Sequence, residues 1–240
     1  MKKILISFFA LALSVESFTQ SASDQQYTCN DSVPGWGESL GIVSFRTDRT
    51  WKVGNQEWSD VVIATNCRKR RFKGSEMQTI QEETTIFRDY TVPQIRRVTG
   101  GHNADCRENR RRYGNLFSWC AVVRFQNELC PAPWRVPTTE DFKTLNTTLG
   151  GEDVSVAFGY NNERVRNNYL NIWGADYGGW CTNEGELRSQ GFHAVYWSQS
   201  RQTPGGPFSL FIHSNGNIIP QNLLNFSKFL GLTLRCVQDN

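Results

Sequence analysis

The chain has 240 residues, a formal net charge of +3 and eight tryptophans. That length suits one domain with an N-terminal extension. A charge so near balance excludes a global field strong enough to steer the protein to nucleic acid or an acidic membrane.

Met1-Lys2-Lys3 precedes an apolar run from Ile4 to Val15, and small or polar residues follow through Ala22. A basic start, a short apolar core and a small-residue exit mark a secretory signal peptide. The run falls short of the ~20 residues that a membrane span needs. Residues 1–22 are therefore read as a signal peptide, cut between Thr19 and Ser23. The first cysteine, Cys29, lies too far away for a lipid-modified start. After cleavage no integral membrane segment is expected, and export leads to the periplasm, the outer-membrane surface or the exterior.

Seven cysteines remain in the exported chain: Cys29, Cys67, Cys106, Cys120, Cys130, Cys181 and Cys236. In an oxidising compartment they read as disulfide partners. None forms a Cys-x2-Cys pair, and His102, His193 and His213 are scattered. Zinc sites rely on close ligand pairs, so neither a metal nor any other cofactor is expected. An odd count leaves at least one thiol unpaired or bridging to another chain, and Cys29 is the expected one.

Residues 23–41 are polar and rich in glycine, an extended lead-in without its own core. Ordered structure is expected from Ile42-Val43-Ser44-Phe45. Thr50 to Trp58 reads as a hairpin in which Gly54-Asn55 supplies the positive-φ positions. Ser59 to Ala64 continues as a strand. Two basic runs follow, Cys67 to Lys73 and Arg107 to Arg112. They could form a patch for an anionic polymer such as an acidic polysaccharide. Glu76, Glu82, Glu83 and Asp89 lie between them, and the preferred reading is solvated loops. Arg88 to Cys106 is expected to be a long surface loop.

The aromatic stretch Leu116 to Phe125 suggests a strand or a short helical turn buried at its middle. Pro131, Pro133 and Pro137 then force an extended corner. Thr138 is placed as N-cap of a helix, with Glu140 and Asp141 in its first turn. Phe142, Leu145 and Leu149 share one face, and Gly150-Gly151 provides the stop. A second helix is expected from about Asn162 to Trp173, with Val165, Tyr169, Ile172 and Trp173 on one face and Gly174 at its end. Asp176 to Glu186 is rich in glycine and aromatic residues. Such a segment can line a sugar-sized groove or be pinned into the core by its rings.

The last third reads as antiparallel sheet. Ala194 to Ser198 is one strand, and Ser209 to His213 and Asn217 to Ile219 flank the hairpin signal Asn215-Gly216. Leu232, Leu234 and Cys236 alternate with Thr233, Arg235 and Val237 in a terminal strand with one buried face.

Five segments in order resemble the Fibrobacter succinogenes major paralogous domain, a module of exported proteins of Gram-negative bacteria. They are Val53-Gly54-Asn55-Gln56-Glu57-Trp58, Tyr113-Gly114-Asn115-Leu116-Phe117-Ser118-Trp119, Cys130-Pro131-Ala132-Pro133-Trp134-Arg135-Val136-Pro137-Thr138, Tyr196-Trp197-Ser198-Gln199-Ser200 and Leu234-Arg235-Cys236-Val237. The resemblance covers roughly residues 42–240. It implies an α+β, C-type-lectin-like fold: a small twisted antiparallel sheet, two helices and long disulfide-pinned loops. It also implies a Cys130–Cys236 disulfide. Cys67, Cys106, Cys120 and Cys181 can then pair three ways, with Cys67–Cys106 and Cys120–Cys181 as one guess. Calcium-binding lectins of that superfamily use Glu-Pro-Asn or Gln-Pro-Asp plus Trp-Asn-Asp, and this chain has neither.

No paired carboxylates at meaningful spacing, Gly-x-Ser-x-Gly or His-Glu-x-x-His appear, so no enzyme is expected. The leading reading is an exported, non-catalytic protein whose loops bind a glycan or an envelope protein. Trp173, Tyr177, Trp180, Tyr196 and Trp197 are the candidate contacts, the competing reading being that these rings fill the core. A structural or adhesin-type envelope subunit is the alternative. A thiol-dependent enzyme, using Cys120 or Cys181, is weaker still.

Overall fold

The computed structural model describes residues 43–44, 49–64, 110–117, 119–181, 187–202, 206–223 and 230–239. The signal peptide, the lead-in, Cys29, Cys67, Cys106, the side chain of Cys120, the first basic run and the loop from Arg88 to Cys106 fall outside these residues.

Near the start, β1 (Val43–Ser44) pairs antiparallel with β4 (Ile63–Ala64). Between them β2 (Thr50–Val53) and β3 (Gln56–Val61) form the expected hairpin, with Val53 opposite Gln56. Only Gly54 takes positive φ, at 61°, the first-position glycine of a II′-type turn. Asn55 does not share that role.

The stretch after Phe117 resolves the strand-or-helix question toward helix. Two short helices, α2 (Trp119–Arg124) and α3 (Gln126–Leu129), follow the single turn α1 (Arg110–Tyr113). Trp119, Val122, Phe125 and Leu129 are all buried, a three-to-four-residue spacing that a strand could not present to one core. The proline corner then carries the chain into α4 (Thr139–Thr148). Thr138 caps that helix as expected. Its side chain accepts from the Asp141 amide, while the Asp141 carboxylate accepts from the Thr138 amide at 2.6 Å, the reciprocal capping box. After the two-residue β5 (Tyr160–Asn161), Asn162 caps α5 (Glu163–Asn171) through the Val165 amide. Val165, Tyr169 and Trp173 turn inward, but Ile172 is exposed. Gly174 ends the helix at positive φ.

A two-residue ladder, β6 (Trp180–Cys181) with β7 (Leu187–Arg188), precedes the long strands. These are β8 (His193–Arg201), β9 (Pro207–His213) and β10 (Asn217–Leu223), in a four-stranded antiparallel sheet of order β5-β10-β9-β8. The turn into β10 uses three residues rather than two, with Gly216 at φ 97° and its amide bonded to the His213 carbonyl. That is the three-residue loop in which glycine takes the left-handed position. A second sheet, order β11-β3-β2, places β11 (Arg235–Asp239) beside β3.

The terminal segment departs from the expected one-faced strand. Every residue from Leu232 to Val237, Thr233 and Arg235 included, is buried. The segment lies between structures on both sides. Leu232 bridges Phe117, Thr233 bridges Tyr196, and Val237 is bridged by Arg135 as well as paired with Trp58. Its alternation signal reflects two different cores instead of core and solvent. On one side Phe117, Trp119, Leu129, Val136, Trp197 and Leu234 cluster with the disulfide. On the other, Trp58, Phe142, Leu145, Tyr169, Trp173, Tyr196 and Ile212 pack together. These facts give a mixed α+β architecture with antiparallel sheets.

The Cys130–Cys236 bond is present and spans 106 residues. Closing a loop of that size removes roughly 4–5 kcal/mol of conformational freedom from the unfolded chain in the entropy picture. Cys181, by contrast, carries a free, buried thiol, so the guessed Cys120–Cys181 bridge is not formed. Its place in the apolar cluster with Leu116 and Leu187 explains why it is tolerated there as a small hydrophobe.

Asp141 joins the cap to the sheet. It receives two hydrogen bonds from Arg135, at 2.6 and 2.8 Å, and one from Gln56 at 3.1 Å. Burial opposes its ionised form, yet the Arg135 and Thr138 hydrogen bonds outweigh burial and hold its pKa below the ordinary 3.8. A lowered folded pKa stabilises fully above the unfolded value and is lost as pH falls through the folded one. Asp141→Asn should therefore cost about 2 kcal/mol at neutral pH. The cost should vanish in acid, below the ordinary carboxylate range. Urea midpoints of both proteins across that window test this; a constant gap would refute it.

Candidate functional site

Among the described residues a cleft of about 480 Å³ opens between the second sheet and the end of α5. That lies within the ~300–1,000 Å³ usual for small-ligand sites. Arg49, Trp51, Asp60, Arg112, Asp176 and Arg235 supply its polar and aromatic lining.

Its floor follows from strand register. Trp51 stands directly opposite Trp58 in the β2–β3 ladder, so both indoles project to one face of the sheet. Trp58 is sealed, stacked on Phe142 at 5.5 Å and edge-on to Trp173 at 5.3 Å. Trp51, on the edge strand, carries that aromatic face outward and is half-buried.

Arg235 sits behind it, 1% exposed. Its guanidinium carbon lies 4.2 Å from the Trp51 ring and 4.5 Å from the Trp173 ring. Sandwiching by two rings is worth on the order of 2 kcal/mol per desolvated contact. Its Nη1 donates to the Trp173 carbonyl and its Nη2 to the Gly174 carbonyl at 3.2 Å. These carbonyls belong to the turn that follows the last residue of α5. Asp60 stands 4.0 Å away. Burial pulls the Arg235 pKa down while Tyr196 and Asp60 oppose the shift, but arginine remains a cation in proteins. Gly174 is required by contact as well as by φ, because a Cβ there would meet Trp51 Cε2 at 2.5 Å.

The rim carries two further arginines, Arg49 and Arg112, with side chains 60% and 68% exposed. Arg112 is the last residue of the second basic run. It grips Asp176 with Nε to Oδ2 at 2.6 Å and Nη2 to Oδ1 at 3.3 Å, a two-point fork. That contact raises its pKa. The backbone of Asp176 is itself fixed, its amide donating to the Tyr196 hydroxyl at 3.0 Å. Arg49 stands 3.9 Å from Asp60 and 5.5 Å from the Trp51 ring centre. Three arginines against two aspartates leave the lining with one positive charge in excess. Exposed forks over a half-buried indole can hold a polar or anionic ligand.

The aromatic contacts expected from sequence lie elsewhere. Trp173, Tyr196 and Trp197 are buried and inaccessible to a ligand, which corrects that expectation. Trp197 donates its indole N–H to the Phe117 carbonyl at 2.6 Å, a use of the ring that fastens a strand to the core. Tyr177 and Trp180 are half-buried and packed against the two aromatic clusters. Tyr177 places its hydroxyl in the interior, with no hydrogen-bond partner among the described residues. None of the five rings lines this cleft, although Trp173 and Tyr196 reach it indirectly by bracing Arg235.

Sequence reading missed Trp51, taken as a hairpin residue, and Arg235, taken as the outward member of an alternating strand. An arginine between Leu234 and Cys236, both fully buried, was the signal. Arg235→Lys should cost about 2–4 kcal/mol, since an ammonium cannot stack between two planar rings and reach both carbonyls. Equal chemical-denaturation midpoints for the two proteins would show that the sandwich contributes little.

No curated protein and no solved structure matches the chain. The Fibrobacter succinogenes major domain matches residues 52–238. That match spans the second half of β2, all of β3, the proline corner, both longer helices and most of β11. The chain belongs to the Fibrobacter succinogenes major domain family.

Proposed function

We propose that the chain is an exported, non-catalytic binding protein that recognises a glycan or an envelope protein through a lectin-like domain. The observation that carries this reading is the cleft itself, a half-buried indole flanked by two exposed arginines on a crosslinked frame. Binding sites gain affinity when their contacts are held in place beforehand, and here the floor is fixed by buried hydrogen bonds. Support for the lectin-like comparison comes from the order of elements, helices before the long hairpins, and from the bond that ties the Cys-Pro corner to the last strand.

Of the two cysteines in the thiol-enzyme alternative, Cys181 is poorly suited to it. Burial pushes the Cys181 thiol up to about 12, the opposite of the lowered pKa and exposure that a reactive thiolate needs. Exposed Phe158 and Phe192 give the structural-subunit reading its one specific observation, since apolar surface favours protein contact.

The exported chain should be retained on an immobilised panel of glycans or of envelope proteins. Trp51→Ala should lower retention by about tenfold, the loss expected for one aromatic contact of ~1.4 kcal/mol. Melting of the variant, measured alongside, separates lost contact from lost fold. Absence of retention on both panels would remove the reading. Alkylation of the native protein, mapped by peptide mass, should leave Cys181 unlabelled until denaturant is added. Rapid labelling at neutral pH would revive the enzyme alternative.

A further inference from the structure

Arg112 gives the second basic run a use that solvated loops would not require. It ends that run and stands on the rim of the cleft, its guanidinium 5.0 Å above the Tyr113 ring. Asp176 occupies its Nε and Nη2 edge. A guanidinium has five N–H donors in a planar fork, so its opposite edge remains for a second acceptor. Arg49 lies 3.9 Å from Asp60, beyond hydrogen-bond range, and so is held loosely. Between these arms the lining has an excess positive charge. Arg235, buried behind Trp51, adds fixed positive charge to the lining rather than a direct contact.

We propose that this cleft takes the carboxylate of an acidic glycan, a uronate-bearing oligosaccharide, with Arg49 and Arg112 as the anion contacts and Trp51 as the surface for the sugar ring. The inference rests on the binding reading above and adds the chemical class of the ligand. Planar carboxylate matches the guanidinium fork at two points. Two exposed arginines at the rim of a concave site raise the local potential that an incoming anion meets. A folded protein partner would instead bury ~800 Å² of this surface, far more than a concave site of this size presents. A neutral sugar would leave the charge excess without a counterpart.

The Asp176 carboxylate offsets the charge of Arg112 and repels an incoming anion, and this gives the proposal opposite signs at neighbouring positions. Isothermal titration of the full exported chain with short oligogalacturonides, and with the same oligosaccharides after carboxyl reduction, reads both. The uronates should bind about tenfold more tightly than the reduced forms, and high salt should narrow that difference. Arg112→Gln and Arg49→Gln should each weaken uronate binding by roughly five- to tenfold, with little change in melting because both side chains are exposed. Asp176→Asn should tighten it a few-fold, since Asn can still accept the Tyr177 amide that Asp176 Oδ1 now accepts. Equal binding of acidic and reduced oligosaccharides would overturn the carboxylate assignment and leave the binding reading standing. So would uronate affinity indifferent to Arg112→Gln, a weakened complex for Asp176→Asn, or retention only by glycans without a carboxylate. Failure of every glycan and envelope protein to bind would remove both.

Discussion

A single buried cation holds the parts of this molecule in register. Arg235 leaves the last strand, passes between the rings of Trp51 and Trp173, and bonds to the carbonyls that close α5. Through those contacts the β11-β3-β2 sheet is locked to the helix end, and Tyr196 on β8 borders the same guanidinium at 5.9 Å. A buried charge is stabilising only when its hydrogen bonds and counter-charges are supplied. Here two carbonyls, Asp60 and the faces of two indoles supply most of them. The arrangement is position-specific in a way that apolar packing is not. An aliphatic side chain would fill the volume and leave the carbonyls of Trp173 and Gly174 without donors.

Around that cation the two cores divide the remaining labour. The aromatic cluster on the α5 side gains from edge-on and stacked ring pairs, among them Trp173 with Tyr196 at 4.9 Å, each worth ~0.5–1.5 kcal/mol beyond area burial. The other cluster surrounds the disulfide, and two of its tryptophans donate their N–H groups to backbone carbonyls, Trp119 to Ser198 and Trp197 to Phe117. Those two bonds fasten the helical stretch after Phe117 to β8. Short helices of four to six residues lack cooperative stability of their own, so such side-chain tethers and the covalent link at Cys130 account for their persistence.

Local signals in the sequence were read well where local chemistry decides the outcome. Thr138 and Asp141 specify a helix start through side chains three residues apart, and Gly54 specifies a tight turn through its own backbone freedom. What escaped was set by partners distant in sequence. Arg235 reads as a solvent-facing strand residue until Trp51 and Trp173 are brought beside it, from more than sixty positions away. Trp173, Tyr196 and Trp197 look like groove-lining rings for the same reason, since nothing local says that both sides of the terminal segment are covered. Leu116 to Phe125 could be strand or helix because a short apolar run carries no decisive period. Arg112 was visible as charge, but only the fold brings it into one cleft with Arg49 and Trp51.

The division between a rigid floor and exposed arms bears directly on chemistry. Turnover needs a group that changes protonation or bonding during the reaction, set near the working pH. In this cleft Arg112 has its pKa raised by Asp176, and Arg235 is a permanent cation enclosed by rings. Such groups are fixed charges at neutral pH and serve to match a ligand's charge and shape. Charge held permanently in position by buried bonds stabilises a bound anion without reorganising to meet it. In the proposed binding reading, the exposed Arg49, 3.9 Å from Asp60, is the adjustable contact that a rigid site needs to admit a bulky ring.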